Sequence, residues 1–396
     1  MKKIIIVNNN MKIGGVQKSL YNLLWAIADK YDVTLYLFSK TGEYLNCLPE
    51  QVKVIGCDSL FRYLGISQGE CRTNPSQYIE RGILALICRL FGRKVVMRIL
   101  LYSQKTLKGH FDCAISFLHN GDPHHFYGGA NEFVLEKIDS ERKIAFLHCD
   151  YEQCGANHKV NNSAYFKFDA IAACSDGCRE AFLRVMPELR TKCITVPNFH
   201  CFHCYDEIKG LAAIDTVVYS SGSYHVIMVG RLAHEKGIDR AVRAVRYAQD
   251  KGISVTLHLI GSGPKEAELK NFVRDIGMED AVIFHGKQSN PYRFMCNADL
   301  LLIASYHEAA PMVIGEACIL SLPTLSVKTT SSTEMILDRG CGWVCKNDQD
   351  SLNAALVAML RSDSNLKALK EHIKNLTFDN ICTLKRFKSV IEGSHE

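Results

Sequence analysis

The sequence predicts an α/β protein made of two doubly wound, parallel-sheet domains facing across a cleft. Three observations carry this expectation. Short β-branched runs alternate with helical patterns almost from end to end, which is the signature of parallel strands covered on both faces. The alternation is interrupted once, in the looser stretch Tyr205–His225, and then restarts. The chain has 396 residues, enough for two or three domains at ~150 residues each.

Taken in order, KIIIV (Lys3–Val7) reads as a buried strand. VQKSLYNLLWAIADK (Val16–Lys30) reads as a helix with Leu20, Leu23, Leu24 and Ile27 on one face. Val33–Phe38, Cys113–Phe117, Lys143–Leu147, Ala170–Cys174 and Cys193–Pro197 are further strands. After the Ser/Gly-tipped stretch come strands at His225–Gly230, Ser254–Gly261, Ala281–Gly286, Asp299–Ser305 and Pro323–Val327, with helices at Gly237–Lys251 and Pro264–Gly277. The expected organisation is a first domain over 1–204, a linker over 205–224, a second domain over 225–372, and a C-terminal helix in 373–396 returning to the first domain. Ligands of such sheets bind beyond the carboxyl ends of the strands, so the cleft is the expected site.

Apolar residues make up 47% and charged residues 22% of the chain, which allows a sizeable core. The net charge of +5 is uneven: residues 1–200 hold 25 Lys/Arg against 19 Asp/Glu, and the remainder is nearly balanced. That modest charge, without an aromatic-basic motif, argues against nucleic acid as a partner. Seventeen cysteines are scattered without a repeating spacing. The opening residues hold four apolar positions before a polar run, too few for a secretory leader. Free thiols in a reducing cytoplasm are therefore expected. HCFHC (His200–Cys204) contains Cys-x-x-Cys, but no second pair at zinc spacing follows; a polar loop is the plainer reading. No apolar run of ~20 residues occurs, so no membrane-spanning helix is expected. The stretch Arg81–Lys108 carries seven basic residues and no acidic one. It suits a helix lying on an anionic membrane surface, or a core-facing helix with a solvated basic face.

Four segments carry candidate chemistry. SYHEAAPMVIGEA (Ser305–Ala317) follows a strand and opens a helix. Pro311 suits the first helical turn. The amides of Met312 and Val313 at the positive helix end can hold a phosphate. Glu308 and Glu316 would be repelled by a diphosphate, but they can accept hydrogen bonds from sugar hydroxyls. The structural alternative makes Glu308 a helix-start charge and Glu316 a solvated helix residue. VGRLAHEKG (Val229–Gly237) places Arg231 and Lys236 on a loop, where two cations could neutralise a leaving diphosphate. In NNNMKIGGVQKSL (Asn8–Leu20), Gly14 and Gly15 allow close backbone approach, or make only a tight turn. In AFLHCDY (Ala145–Tyr151), His148 stands just past a strand end, as a ligand to substrate or as a structural residue. The Asp348-Gln349-Asp350 triplet reads as a helix start and not a metal site.

These segments resemble the family 4 retaining glycosyltransferases of the bacterial polysaccharide-biosynthesis type, enzymes of the GT-B fold with two Rossmann-like domains. GGVQKSL, HCD, CSDG (Cys174–Gly177), VPNF (Val196–Phe199), VGRLAHEKG, LIGSGP (Leu259–Pro264), FHG (Phe284–Gly286) and the Glu-x7-Glu of Glu308 and Glu316 follow in the family's order. The resemblance implies that Glu308 holds the donor sugar and Glu316 the ribose. It implies that Arg231 and Lys236 bind the diphosphate, that Gly15 with Gly14 lines it, that Gly286 adjoins the donor, and that His148 sits at the reacting centre. Ala309 and Ser321 stand where the family usually has glycine, which bears on backbone approach to the donor.

The implied reaction moves a sugar from a nucleoside diphosphate, with uracil the expected base, to a saccharide or polyprenyl-linked saccharide. The anomeric configuration is retained, and no cofactor or metal is expected. The expected location is cytoplasmic, peripheral at the inner membrane face. Two alternatives stand beside it. One is a nucleotide-sugar epimerase or hydrolase on the same fold; the other is a non-catalytic partner subunit.

Overall fold

A computed structural model describes residues 1–200 and 205–394. The chain divides into two compact units, Met1–Phe199 with Asn380–Glu396, and His200–Asp379.

The first unit holds seven parallel strands: β1 (Lys3–Asn8), β2 (Asp32–Leu37), β3 (Lys53–Gly56), β4 (His110–Ser116), β5 (Asp139–Leu147), β6 (Ala170–Ala173) and β7 (Cys193–Thr195). Their order is β3-β2-β1-β4-β5-β6-β7. β1 lies inside the sheet, and Ile4 to Val7 are fully buried. A strand covered on both faces must be apolar at every position, which is why KIIIV lacks alternation. The first helix runs Gly15–Ile27 and buries Leu20, Leu23, Leu24 and Ile27 against this sheet. The closing helix, Ile381–Glu392, adds Phe387, Val390 and Ile391 to the same core.

The second unit holds β8 (Tyr224–Val229), β9 (Val255–Ile260), β10 (Val282–Gly286), β11 (Leu300–Ile303), β12 (Thr324–Val327) and β13 (Gly342–Cys345), all parallel, in the order β10-β9-β8-β11-β12-β13. The strand order reverses between β8 and β11, so the crevice above their carboxyl ends is this sheet's switch point. Two glycines let loops close over that end. Gly237 has φ 59°, and a β-carbon there would lie 2.1 Å from the Ala304 carbonyl oxygen. A β-carbon on Gly261 would lie 1.8 Å from the Gly230 carbonyl oxygen.

Three histidines on neighbouring strands form a hydrogen-bonded row. His225 Nε2 lies 3.0 Å from the Ser220 carbonyl, His225 Nδ1 lies 2.9 Å from His258 Nε2, and His258 Nδ1 lies 3.0 Å from His285 Nε2. The Ser220 carbonyl can only accept, so His225 carries its proton on Nε2 and accepts on Nδ1. The same tautomer then follows for His258 and His285. Tyr219 stacks on His225.

Several expectations are corrected. The segment expected as a linker contains a helix, Tyr205–Ala213, whose Ile208 and Ala212 are buried in the second unit. The basic stretch Arg81–Lys108 is not one helix. Gly92, at φ 75°, separates Pro75–Phe91 from Arg93–Ser103. Arg93 is no surface cation; it is buried, with its Nε 2.9 Å from Glu132 Oε1 and its Nη2 2.7 Å from Asn120 Oδ1. The Cys201–Cys204 pair weighed for zinc lies outside the described residues. Among those described, no His/Cys/Asp/Glu group is arranged to hold a metal ion, and all fifteen cysteines are free. No helix of the described residues is long and apolar enough to cross a membrane.

Candidate functional site

Lys236 and Glu308 meet at the switch point of the second unit. Lys236 closes a short 3-10 turn, His234–Lys236, that follows β8; Glu308 lies in the loop that follows β11. The Lys236 ammonium donates to Glu308 Oε1 at 2.5 Å, and Ser305 Oγ donates to the same oxygen at 2.8 Å. The loop is held in place from behind. Tyr306 N donates to the Glu235 carbonyl at 2.9 Å, the His234 ring stacks on Tyr306, and the Arg240 guanidinium lies 4.9 Å from the same ring's centroid. A narrow pocket opens here, lined by Arg231, Lys236, Ser305, Glu308, Pro311 and Val313 above a floor of β8 and β11 side chains.

Arg231 is mostly exposed and pairs with Glu235 at 2.5 Å. Partial burial raises the Glu235 carboxyl, but a backbone hydrogen bond and then the Arg231 charge outweigh it and hold the group below its usual range. Both cations proposed from the sequence are thus neutralised by carboxylates in this state, one at the pocket wall and one at its rim.

The expected helix begins at Met312 and runs to Ile319. Pro311 does not occupy its first turn as expected. It sits one position earlier with extended backbone, ψ 119°, and so delivers the chain to the helix without needing a hydrogen bond of its own. Val313 lines the pocket, whereas Met312 is buried and does not. Glu316 is not the solvated residue that the structural alternative required: it is 9% exposed, with its Oε1 3.5 Å from the Tyr292 hydroxyl. Gly286 ends β10 in the left-handed region, φ 68°, and its carbonyl accepts from Gly261 N at 2.8 Å. β10 lies two strands away from β8, and Gly286 does not line the Lys236 pocket. Asp348 Oδ1 accepts from Ser351 N at 2.7 Å and caps the Gln349–Arg361 helix.

In the first unit, Gly14 precedes and Gly15 begins the helix that follows β1. Gly14 is extended, φ 179°, a conformation open to any residue. Its small size keeps clear of Gln17, whose amide donates to Asn9 Oδ1 at 3.1 Å. His148 follows β5 directly and rests on Phe117, with ring centroids 4.6 Å apart. Burial pushes its pKa down to about 3; neighbouring His119 adds to the shift and Asn198 opposes it. Among the described residues neither ring nitrogen of His148 meets full hydrogen-bond geometry, Asn198 being the near polar neighbour. The imidazole is therefore neutral at physiological pH.

Sequence reasoning missed His119. Its signal was present: ISFLHN (Ile115–Asn120) and IAFLHC (Ile144–Cys149) share one ending. β4 and β5 pair with Ile115 opposite Ile144, so the two Phe-Leu-His ends lie side by side, and Phe117 stacks on Phe146 at 4.8 Å. Burial holds the pKa of His119 down to about 4. Ser305, which steadies Glu308, was read only as a strand end.

Residues 218–376 match the family model described as Glycosyl transferases group 1. The lipopolysaccharide core biosynthesis glycosyltransferase LpsD of Rhizobium meliloti is 27% identical over 157 residues, 38% of this chain and 42% of that protein. The lipopolysaccharide glucosyltransferase WaaG of Escherichia coli is 29% identical over 133 residues, 33% of this chain and 36% of its own length. These alignments span less than half of either relative. Among solved structures, WaaG matches 99% of this chain with a TM-score of 0.63 at 17% identity. Anabaena HepE in complex with UDP matches 99% with a TM-score of 0.65 at 16% identity. The chain has the GT-B fold, and its residues 218–376 match the glycosyl transferases group 1 family model.

Proposed function

We propose that this protein is a retaining glycosyltransferase that moves a sugar from a nucleoside diphosphate, uridine diphosphate first among them, to a saccharide or polyprenyl-linked saccharide. Such an acceptor would bring the protein to the inner face of a membrane. The observation that carries the reading is the Lys236–Glu308–Ser305 contact at the switch point of a group 1 domain. It combines a cation for phosphate with a carboxylate for sugar hydroxyls in one pocket. LpsD and WaaG, whose names place them in lipopolysaccharide synthesis, and the UDP complex of HepE support the substrate class.

On this reading the diphosphate enters beside Lys236, which turns from Glu308 to a phosphate oxygen. Arg231 exchanges its exposed pairing with Glu235 for the same anion, a change that costs little because surface ion pairs contribute little. The first amides of the Met312–Ile319 helix add partial positive charge. Glu308, released by the lysine, accepts from sugar hydroxyls, and Glu316 accepts from the ribose. Charge growing on the departing phosphate is met by fixed cations, so no metal is required in the scheme. The phosphate oxygen takes the acceptor proton as the new bond forms on the same face. Neutral His148 can hydrogen-bond the sugar or the departing phosphate without adding charge.

A thermal-shift panel of nucleoside diphosphate sugars, followed by turnover of the best binder with and without saccharide acceptors, tests the proposal. Stabilisation by one sugar nucleotide and acceptor-dependent release of its nucleotide are expected. Release of an altered free sugar without acceptor would favour the epimerase or hydrolase reading. Absence of all donor binding would favour a non-catalytic subunit.

A further inference from the structure

The geometry points to a second binding surface, on the first unit: the two helices Pro75–Phe91 and Arg93–Ser103 seat on an anionic lipid bilayer, with apolar side chains in the headgroup region and cations against lipid phosphates. In the first helix, Ile79, Ile83, Leu86 and Leu90 recur at helical spacing on one face, and all four are exposed. The opposite face supplies the core with Leu84 and Cys88. Phe91, at the end of this helix, is 67% exposed. In the second helix Val95, Ile99 and Tyr102 repeat the pattern, Tyr102 at 95% exposure, while Val96, Met97 and Leu100 face inward. Nine of the twenty large exposed hydrophobic residues among those described lie in these two helices. A contiguous apolar surface of this kind marks an interaction site and not chance exposure.

Charge decides the occupant. Of the seven basic residues from Arg81 to Lys108, Arg93 is buried against Glu132, and Arg81 donates to the Ile66 carbonyl at 2.8 Å and Gln68 Oε1 at 3.0 Å. Arg89, Lys94, Arg98, Lys105 and Lys108 remain exposed and make no ion pair among the described residues, and no carboxylate occurs in that stretch. Arg89, Lys94 and Arg98 stand next to stripe residues in sequence. A second copy of the chain on this surface would set like charges against like. A bilayer rich in acidic headgroups offers phosphate at the rim and hydrocarbon beneath, the combination that this surface complements. The helices would lie in the interface and not span it. This inference stands apart from the sugar-transfer reading, since its test reads vesicle binding and not turnover.

The test is flotation of the full chain with phosphatidylcholine vesicles, with and without phosphatidylglycerol. Binding to the anionic vesicles that weakens with salt is expected, with little binding to the neutral ones. Lys94→Gln with Arg98→Gln should weaken partitioning roughly thirtyfold, at about fivefold per lost cation. Leu86→Ser with Leu90→Ser should weaken it roughly a hundredfold, by removing buried apolar area. Both pairs are exposed, so unchanged circular dichroism melts confirm that the fold is intact. Equal binding to neutral vesicles, or no loss in either variant, overturns the proposal. So does a dimer that Leu86→Ser with Leu90→Ser dissociates in a protein that ignores vesicles, because the surface would then join copies of the chain.

Discussion

Replacing Glu308 by glutamine separates the two tasks that Lys236 is given. In the free protein the ammonium donates to the Glu308 carboxylate, with Lys236 29% and Glu308 12% exposed. The lysine must leave that partner before it can hold a phosphate. A partly exposed pair of this kind is worth about 1 kcal/mol. A neutral amide at this position would keep the shape and the Ser305 contact while releasing the lysine. Calorimetric titration with UDP should therefore show roughly fivefold tighter binding in Glu308→Gln. The sugar nucleotide should behave in the opposite sense. Hydrogen bonds to a charged group contribute about 1.5–3 kcal/mol, so the advantage over UDP of whichever UDP-sugar binds best should fall by roughly tenfold to a hundredfold. Lys236→Ala supplies the control, because it must lose UDP affinity whether or not Glu308 is charged. If Glu308→Gln weakens UDP as Lys236→Ala does, the lysine is not withheld by the glutamate and the pocket does not work in this order.

Further outcomes follow from the same contacts. Lys236→Ala should lower the rate of sugar transfer roughly a hundredfold or more while leaving the melting profile nearly unchanged, since a fixed cation facing a leaving phosphate contributes on that scale; near-normal turnover removes the mechanism. Gly237→Ala should lose both donor binding and stability, by about 2 kcal/mol or more, because the added carbon meets the Ala304 carbonyl at 2.1 Å in a left-handed backbone; urea unfolding measures it. The His258 pKa is depressed from 6.5 to about 4, chiefly by burial and then by His285 and His225. The unfolded chain thus binds more protons across that window, and the second unit's stability is complete above about pH 6.5 and declines as pH falls toward 4, by at most about 3 kcal/mol. Arg293 adds to the same sense at His285. Melts between pH 7 and 4 should show the decline, and a His258→Phe variant that retains the full slope would refute the assignment.

The parallel strands with long apolar runs were legible because double coverage leaves no room for polar alternation. β3 (KVIG) and β13 (GWVC) were not recognised. Both are four-residue edge strands without a fully buried residue, so neither shows an apolar run. The Tyr205–Ala213 helix was hidden because its mixed composition, with a glycine near its end, resembled a spacer, and among its described side chains Ile208, Leu211 and Ala212 bind it to the core. In the pocket of the second unit, residue types at strand ends pointed to Lys236 and Glu308. What could not be read was pairing. That Arg231 rests on Glu235 and Lys236 on Glu308 depends on how loops from β8 and β11, some seventy residues apart, fold against each other. His119 was overlooked because its one signal, the Phe-Leu-His ending shared with the His148 segment, gains meaning only when strand register sets the two ends side by side.

The row of imidazoles across β8, β9 and β10 has a direction. His225 and His258 each donate one way and accept the other, His285 donates into the row, and the row ends on a carbonyl that cannot give a proton back. Charging His258 on Nδ1 would set two N–H donors against each other across the His258–His285 contact unless His285 changes tautomer, so these two rings answer acid as a coupled pair. Nuclear magnetic resonance of the ring nitrogens would then show His258 and His285 each reporting the other's titration, where independent side chains would each report only their own.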